Sequence, residues 1–385
     1  MDKEPSRDKL YPIEGLRGYL AIMVMVSHIF IFGAYINIPE FFKHSSDLFS
    51  LLNHGDLAVQ CFMIISGFVI FLLIDTKKEK YGDYLTRRFL RIFPVYFLLL
   101  LISIPCLRLS SSVLEMTTSM QSAEVIRSTS AIYHSLWGHL WIHLPLHLVM
   151  LHGMIPSTIL LNSPTAFLGP AWSLSLEWQF YLIAPLWYSC FVTEIARKKI
   201  IMYVVCLIFI LKGHYFFASI QMGAILPNYL VFFVTGIASY FLYKKAKQLE
   251  IPKDTVFPIA VLLAIGSYRF AEKPLGIIPY MLWSVVFALI LEPKDSLTSR
   301  FFSPVFTNPV SLWLGKISYS IYLSHSLVLV VLQFVLLKSF ANISQTHLLY
   351  WLLVATPLFT LPLSHLLYMT VERPFMYYGK RAVAG

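Results

Sequence analysis

Charge is scarce in this chain. Only 13% of its 385 residues are Asp, Glu, Lys or Arg, whereas 57% are hydrophobic, and the mean hydropathy is +0.69. So little charge excludes a soluble enzyme with water on every side and leaves a polytopic membrane protein. Cysteine is also sparse. Cys61, Cys106, Cys190 and Cys206 lie in or beside apolar runs without CxxC spacing, so neither a disulfide framework nor a zinc site is indicated. There is no internal repeat, no Gly/Ser linker and no low-complexity tail, and residues 1–385 therefore read as a single membrane-embedded domain.

Long apolar runs are what the chain has instead. They recur at 14–36, 56–75, 89–107, 177–193, 199–211, 225–243, 255–270, 275–292, 317–338 and 347–371, which predicts an all-α fold of about ten transmembrane helices. The first run contains Glu14 and Arg17 and has no small-residue cleavage site, so a retained helix is expected and not a signal peptide. The net charge is +10. Its basic clusters, around Lys3 to Lys9, Lys77 to Arg91, Arg197 to Lys199, Lys244 to Lys247, Lys294 to Lys316 and Arg373 to Arg381, fall in alternate loops. By the positive-inside rule both termini are then cytoplasmic.

One stretch departs from this rhythm. Leu109 to Ser135, rich in Ser and Thr, is expected to be an extracytoplasmic loop. Trp137 to His152 is apolar enough for a helix, but counting it as a span would break the charge alternation, so a re-entrant or interfacial segment is expected. It belongs to a series of histidines, His134, His139, His143, His147 and His152, whose middle three share one helix face. A His pair at i and i+4 can bind zinc, but Glu124 is the only acid nearby and no metal is expected. Beside Trp137 and Trp141 these histidines read as an amphipathic face at the headgroup level or as the lining of an outer substrate path.

Arg17 and His28 lie in the first run, eleven residues apart. That step returns to nearly the same helix face, roughly 16 Å along the axis. Ionisable residues at this depth are costly by roughly 2.5 kcal/mol or more for Arg, and they usually line a bundle interior or a substrate path.

Five blocks accompany them. They are Glu14-Gly-Leu-Arg17-Gly with His28; Phe62-Met-Ile-Ile-Ser66-Gly67-Phe68; Arg87-Arg88-Phe-Leu-Arg91-Ile-Phe-Pro94-Val-Tyr96; Pro170-Ala-Trp172-Ser173-Leu-Ser175-Leu-Glu177-Trp-Gln179-Phe-Tyr181; and Leu314-Gly-Lys316-Ile-Ser318-Tyr319-Ser-Ile-Tyr322-Leu-Ser-His325, with Glu372-Arg373-Pro374 near the end. In this order, over almost the whole chain, they resemble the acyltransferase-3 family of integral membrane O-acyltransferases. The family's Arg-x10-His signature matches Arg17 and His28; one departure is Trp178, where the family often has a second Glu. The resemblance implies transfer of an acyl group, acetyl above all, from cytoplasmic acyl-CoA to a hydroxyl of a cell-surface or lipid-linked glycan such as an O-antigen, or of a macrolide. It also implies a bacterial inner-membrane location and no nucleic-acid partner.

The residue chemistry fits such a reaction. A CoA donor carries a diphosphate and a 3′-phosphate, for which Arg87, Arg88 and Arg91 are the candidate cations, Arg87 and Arg91 sharing a face at i and i+4; Lys316 and Arg373 are weaker candidates. His28 suits the general base, and Glu177 is a candidate carboxylate to orient it. Tyr319 and Tyr322, with Ser326, occupy one side of their helix and could line the donor tunnel or donate to a thioester carbonyl. Buried Arg, His and Glu also serve proton-coupled transporters, but the missing repeats and matched helix breaks count against that alternative.

Overall fold

The computed structural model of the chain describes residues 10–34, 53–209, 213–246, 258, 274–340 and 342–382. No strand occurs among the described residues. Helices α1 (Tyr11–Ala34), α2 (Gly55–Lys77) and α3 (Tyr81–Met116) come first, followed by two shorter ones, α4 (Ala123–Gly138) and α5 (Leu140–Leu148). Three 3-10 turns then lead to α6 (Trp172–Val192), α7 (Ala196–Ile208), α8 (His214–Ser219), α9 (Leu226–Ala246) and α10 (Ile278–Leu291). Last come α11 (Leu297–Phe306), α12 (Pro309–Ser339) and α13 (Gln345–Leu367), which a π-helical turn, Tyr368–Glu372, joins to α14 (Arg373–Ala382).

Six helical stretches among the described residues are long and apolar enough to cross a membrane: α1, α2, α3, α9, α12 and the α13–α14 stretch. Helices satisfy their own backbone polar groups, as the hydrocarbon core demands. The protein is thus an all-α polytopic membrane protein. The run expected at 255–270 lies, apart from residue 258, outside the described residues.

The Ser/Thr-rich stretch after Leu109 is not the expected loop. α3 continues to Met116, and Ala123–Gly138 forms α4. The hydroxyls explain why. Ser110 donates to the Cys106 carbonyl at 3.1 Å and Ser111 to that of Leu107 at 3.1 Å, so each bonds back along the helix without breaking it, while Ser122 caps α4 by accepting from the Val125 N–H.

Two close helix contacts position the site. α1 and α12 run parallel: Gly18 lies against Ser311, Leu314 and Gly315, and further along His28 lies against His325. A Cβ at Gly315 would overlap the Glu14 carbonyl oxygen, so only glycine lets the two backbones approach this far. α2 and α9 meet the same way, Gly67 against the Phe233 carbonyl and Gly236 against that of Ile64. Around this second contact Phe68, Phe71, Phe180, Phe233 and Tyr240 form the densest buried cluster, which Asp75 closes by accepting from Tyr188 at 2.5 Å and pairing with Lys244 at 3.0 Å.

Candidate active site

A cavity of about 460 Å³ opens between α1, α2, α3, α6 and α12. Its charged lining is uneven. Arg17, Arg88, Arg91 and Lys316 face it, against the carboxylates Glu14 and Glu177. The rest of the wall is mostly apolar, from Ile13, Val59, Phe62, Met63 and Val69, or aromatic, from Tyr181, Tyr319 and Tyr322, with Ser66, Ser173 and Ser318 among them.

Each cation is held by its own surroundings. The Arg88 guanidinium lies over the Tyr181 ring, 5.9 Å from its centroid, and the Tyr181 hydroxyl donates to Glu177. Arg91 is 3.7 Å from Glu372, which is buried and accepts from the Ser320 hydroxyl at 2.9 Å. Arg91 also contacts the Met376 sulfur at 2.7 Å. Arg17 is one helical turn inward from Glu14, with Glu177, Glu372 and Arg91 as its charged neighbours. Lys316 is on α12 beside Gly315 and is the most exposed of the four.

Arg87 does not join them. It pairs with Glu79, just ahead of α3, and is absent from the cavity wall. The expected i and i+4 pair of Arg87 and Arg91 is therefore replaced by Arg88 and Arg91 at i and i+3. Arg373 is also outside the wall and reaches only the Met369 sulfur at 3.8 Å.

The two tyrosines of α12 close the inner side. Tyr319 donates to the Ile92 carbonyl at 2.6 Å, which commits its single proton and ties α12 to α3. Tyr322 donates to the Pro170 carbonyl at 2.9 Å and meets the Ser173 hydroxyl at 2.6 Å. On α12 the lining stops at Tyr322, one turn before His325; on α1 it stops at Arg17. Ser326, expected on the same side, does not line the cavity.

His28 lies beyond that limit, next to a second imidazole. Its Nδ1 is 2.9 Å from the Val24 carbonyl oxygen and 3.1 Å from Nε2 of the buried His325, with ring centroids 4.9 Å apart. The Tyr322 ring is 6.4 Å from that of His325 and links the pair to the cavity. Glu177, the carboxylate considered for orienting His28, is instead bonded to Tyr181 on the cavity wall.

The outer histidines also depart from expectation. His139 is the N-cap of α5 with a non-helical backbone, so the stripe breaks there; His134 and His139 are exposed, while His143, His147 and His152 are fully buried. His147 donates from Nε2 to the Ser163 carbonyl at 3.0 Å, which leaves Nδ1 to accept from Tyr96 at 2.9 Å. It stacks on His152, centroids 3.9 Å apart. Burial pushes His143 and His152 down to about 4; burial and the neighbouring His152 hold His147 well below its ordinary value. His147 and His152 are tied to the Ser163 and Ala171 carbonyls, each 3.0 Å from Nε2. Among the described residues no group of three or more His, Cys, Asp or Glu is placed to hold a metal ion.

An acyltransferase domain matches residues 10–369, nearly the whole length. The chain belongs to this acyltransferase family. It is similar to the acyltransferase MdmB of Streptomyces mycarofaciens, with 26% identity over 187 residues, 48% of this chain and 40% of that protein. The chain thus spans less than half the length of that curated relative. No solved structure matches it.

For an acyltransferase the arrangement divides into two parts, a cavity lined by cations and ending at Arg17, and a histidine pair about 16 Å further along α1. Sequence reasoning left two of its residues without a role here. Glu372 stands in the sequence only as part of Glu372-Arg373-Pro374 near the end; it closes the π turn and is buried against Arg91. The signal was present, because Glu372 is the one acid after residue 342 and an Arg within a span needs a carboxylate nearby. His325 was noted only as a neighbour of Tyr322. A lone histidine in an apolar helix carries no sign of its partner on another helix.

Proposed function

We propose that this acyltransferase takes an acyl group, acetyl in the first instance, from acyl-CoA at the cytoplasmic face of a bacterial inner membrane and transfers it to a hydroxyl of a cell-surface or lipid-linked glycan. The cavity carries the reading: four cations against two carboxylates, in a wall that is otherwise mostly apolar and aromatic. An apolar cleft with converging cations suits a ligand with several phosphates and a long uncharged arm, and guanidinium forks match phosphate oxygens. The positive-inside rule puts this end of α1 and α12 in the cytoplasm, with both termini.

In this reading Arg88, Arg91 and Lys316 hold the phosphates and Arg17 the innermost anionic group, while Glu177 and Tyr181 keep Arg88 and Arg17 in place. Arg87, engaged by Glu79, has no phosphate. The donor's arm runs along Tyr319 and past Tyr322 toward His28. There the acceptor hydroxyl gives its proton to His28 as its oxygen bonds the thioester carbon; the carbon–sulfur bond breaks, and the thiolate leaves and takes the proton from the imidazolium.

Purified protein and a His28→Ala variant, incubated with radiolabelled acetyl-CoA alone, with membrane glycolipid extract and with a macrolide, test the reading. Label transfer to glycolipid by the wild type, lost in the variant, is the expected result. Saturable CoA binding without transfer to glycolipid, but with transfer to the macrolide, would reassign the acceptor. No CoA binding by either protein would overturn the donor assignment and bring back the transporter.

A further inference from the structure

We infer that His325 is a positioning residue that fixes His28 as the Nδ1–H tautomer and so leaves Nε2 as its basic atom. The inference rests on the reading of His28 as the base and deepens it.

The Ile321 carbonyl oxygen is 2.9 Å from His325 Nδ1, and a carbonyl can only accept, so this nitrogen carries the proton. His325 is completely buried, and an imidazolium there would need a carboxylate, which none of its contacts among the described residues supplies. The ring is then neutral, and its Nε2 presents a lone pair. His28 Nδ1 meets that lone pair at 3.1 Å and the Val24 carbonyl at 2.9 Å. Both neighbours are acceptors, so Nδ1 of His28 holds the hydrogen and shares it between them. A neutral ring has one N–H, and Nε2 is left bare.

The Val24 carbonyl alone would favour the same tautomer, but it belongs to His28's own helix and turns with it. His325 is on α12 and fixes the ring from outside. The usual orienting partner of a catalytic histidine is a carboxylate or a carbonyl. An imidazole in this position orients without adding a negative charge to an apolar interior.

Two substitutions separate orientation from packing. A Gln at position 325 can place its side-chain oxygen near the old Nε2 and still accept from His28; Leu fills the volume and accepts nothing. His325→Leu is expected to lower kcat roughly 10- to 100-fold with the KM for acetyl-CoA unchanged, and His325→Gln to restore most of the loss. Equal losses in both variants, or a rise in KM without a fall in kcat, would overturn the assignment.

A second measurement needs no turnover. In protein labelled with ¹⁵N-histidine, the His28 resonances, identified by their loss in His28→Ala, should report a protonated Nδ1 and a bare Nε2 in the wild type and in His325→Gln. In His325→Leu the Nδ1–H population should fall, because Nδ1 keeps the Val24 carbonyl but loses its partner on α12. A protonated Nε2 in the wild type, or no response to His325→Leu, would refute the proposal whatever the enzyme transfers. The expected spectra from a protein that transfers no acyl group would leave the tautomer standing and remove the function from it.

Discussion

Arg87 and Arg88 are adjacent on one helix and carry the same charge, yet only Arg88 faces the cavity. Replacing either by Ala changes net charge and membrane orientation signals alike, so any difference between the variants reports the site and not the topology. Arg88 forms no ion pair among the described residues, and its guanidinium lies over Tyr181. A charge-assisted hydrogen bond to a phosphate contributes about 1.5–3 kcal/mol, which at 1.4 kcal/mol per decade is roughly a 10- to 150-fold change in affinity. Arg88→Ala should therefore raise the KM for acetyl-CoA by that factor with little change in kcat, because a phosphate far from the thioester is held alike in ground and transition states. Arg87→Ala should leave KM nearly unchanged and lower thermal stability slightly through the loss of Glu79's partner. Initial rates over a range of acetyl-CoA concentrations in detergent, with equilibrium binding of desulfo-CoA as a check on KM, measure both. Equal KM values for the two variants, or the larger rise for Arg87→Ala, would refute the assignment of the cavity to the phosphates.

Glu372→Leu leaves Arg91 without its buried counter-charge and should cost about 3–5 kcal/mol, seen as a lower thermal midpoint and a smaller monodisperse fraction; Glu372→Gln keeps a partner for Ser320 and should cost less. Gly315→Val drives a side chain into the Glu14 carbonyl and should prevent α1 and α12 from closing, so that little folded protein is recovered; Gly82→Ala, where a Cβ meets nothing within 4 Å, should be tolerated. The buried neutral histidines set a pH dependence. Because the folded values of His143 and His152 lie near 4, below the ordinary value, the unfolded chain takes up protons first as the pH falls. Stability should hold above about pH 6.5 and decline from there toward pH 4 by up to ~1.4 kcal/mol per unit for each histidine. Thermal midpoints between pH 8 and pH 4.5 measure this, and a curve that rises on acidification would contradict it.

The long helices are legible because an apolar run of span length has few alternatives in a membrane. α2, α9 and α12 lie over the runs at 56–75, 225–243 and 317–338, with ends that differ by up to eight residues. The overrun of α3 past Cys106 was not legible, since Ser and Thr lower apolarity without breaking a helix when their hydroxyls bond backward. The site was legible residue by residue more than as a shape. Arg17, Arg88, Arg91, Lys316, Tyr319, Tyr322 and Glu177 all reach one cavity, but periodicity places them only on their own helices. Arg87's diversion to Glu79, the inward turn of Glu372 and the pairing of His28 with His325 are contacts between segments far apart in the chain, or across a helix start. No local pattern encodes them.

The parallel contact of α1 with α12, tightened by Gly18 and Gly315, has a metric consequence. Both helices run from the cavity to the histidine pair, so the distance between Arg17 and His28 is set by the rise of a helix that cannot slide against its neighbour. On the proposed reading this makes the pair of helices a gauge. A donor is accepted when its anionic head and its acyl carbon are separated by that length, and a shorter or longer arm leaves one end unmet. Selection among thioesters would then begin with the reach of the carrier, before the acyl group itself is sampled.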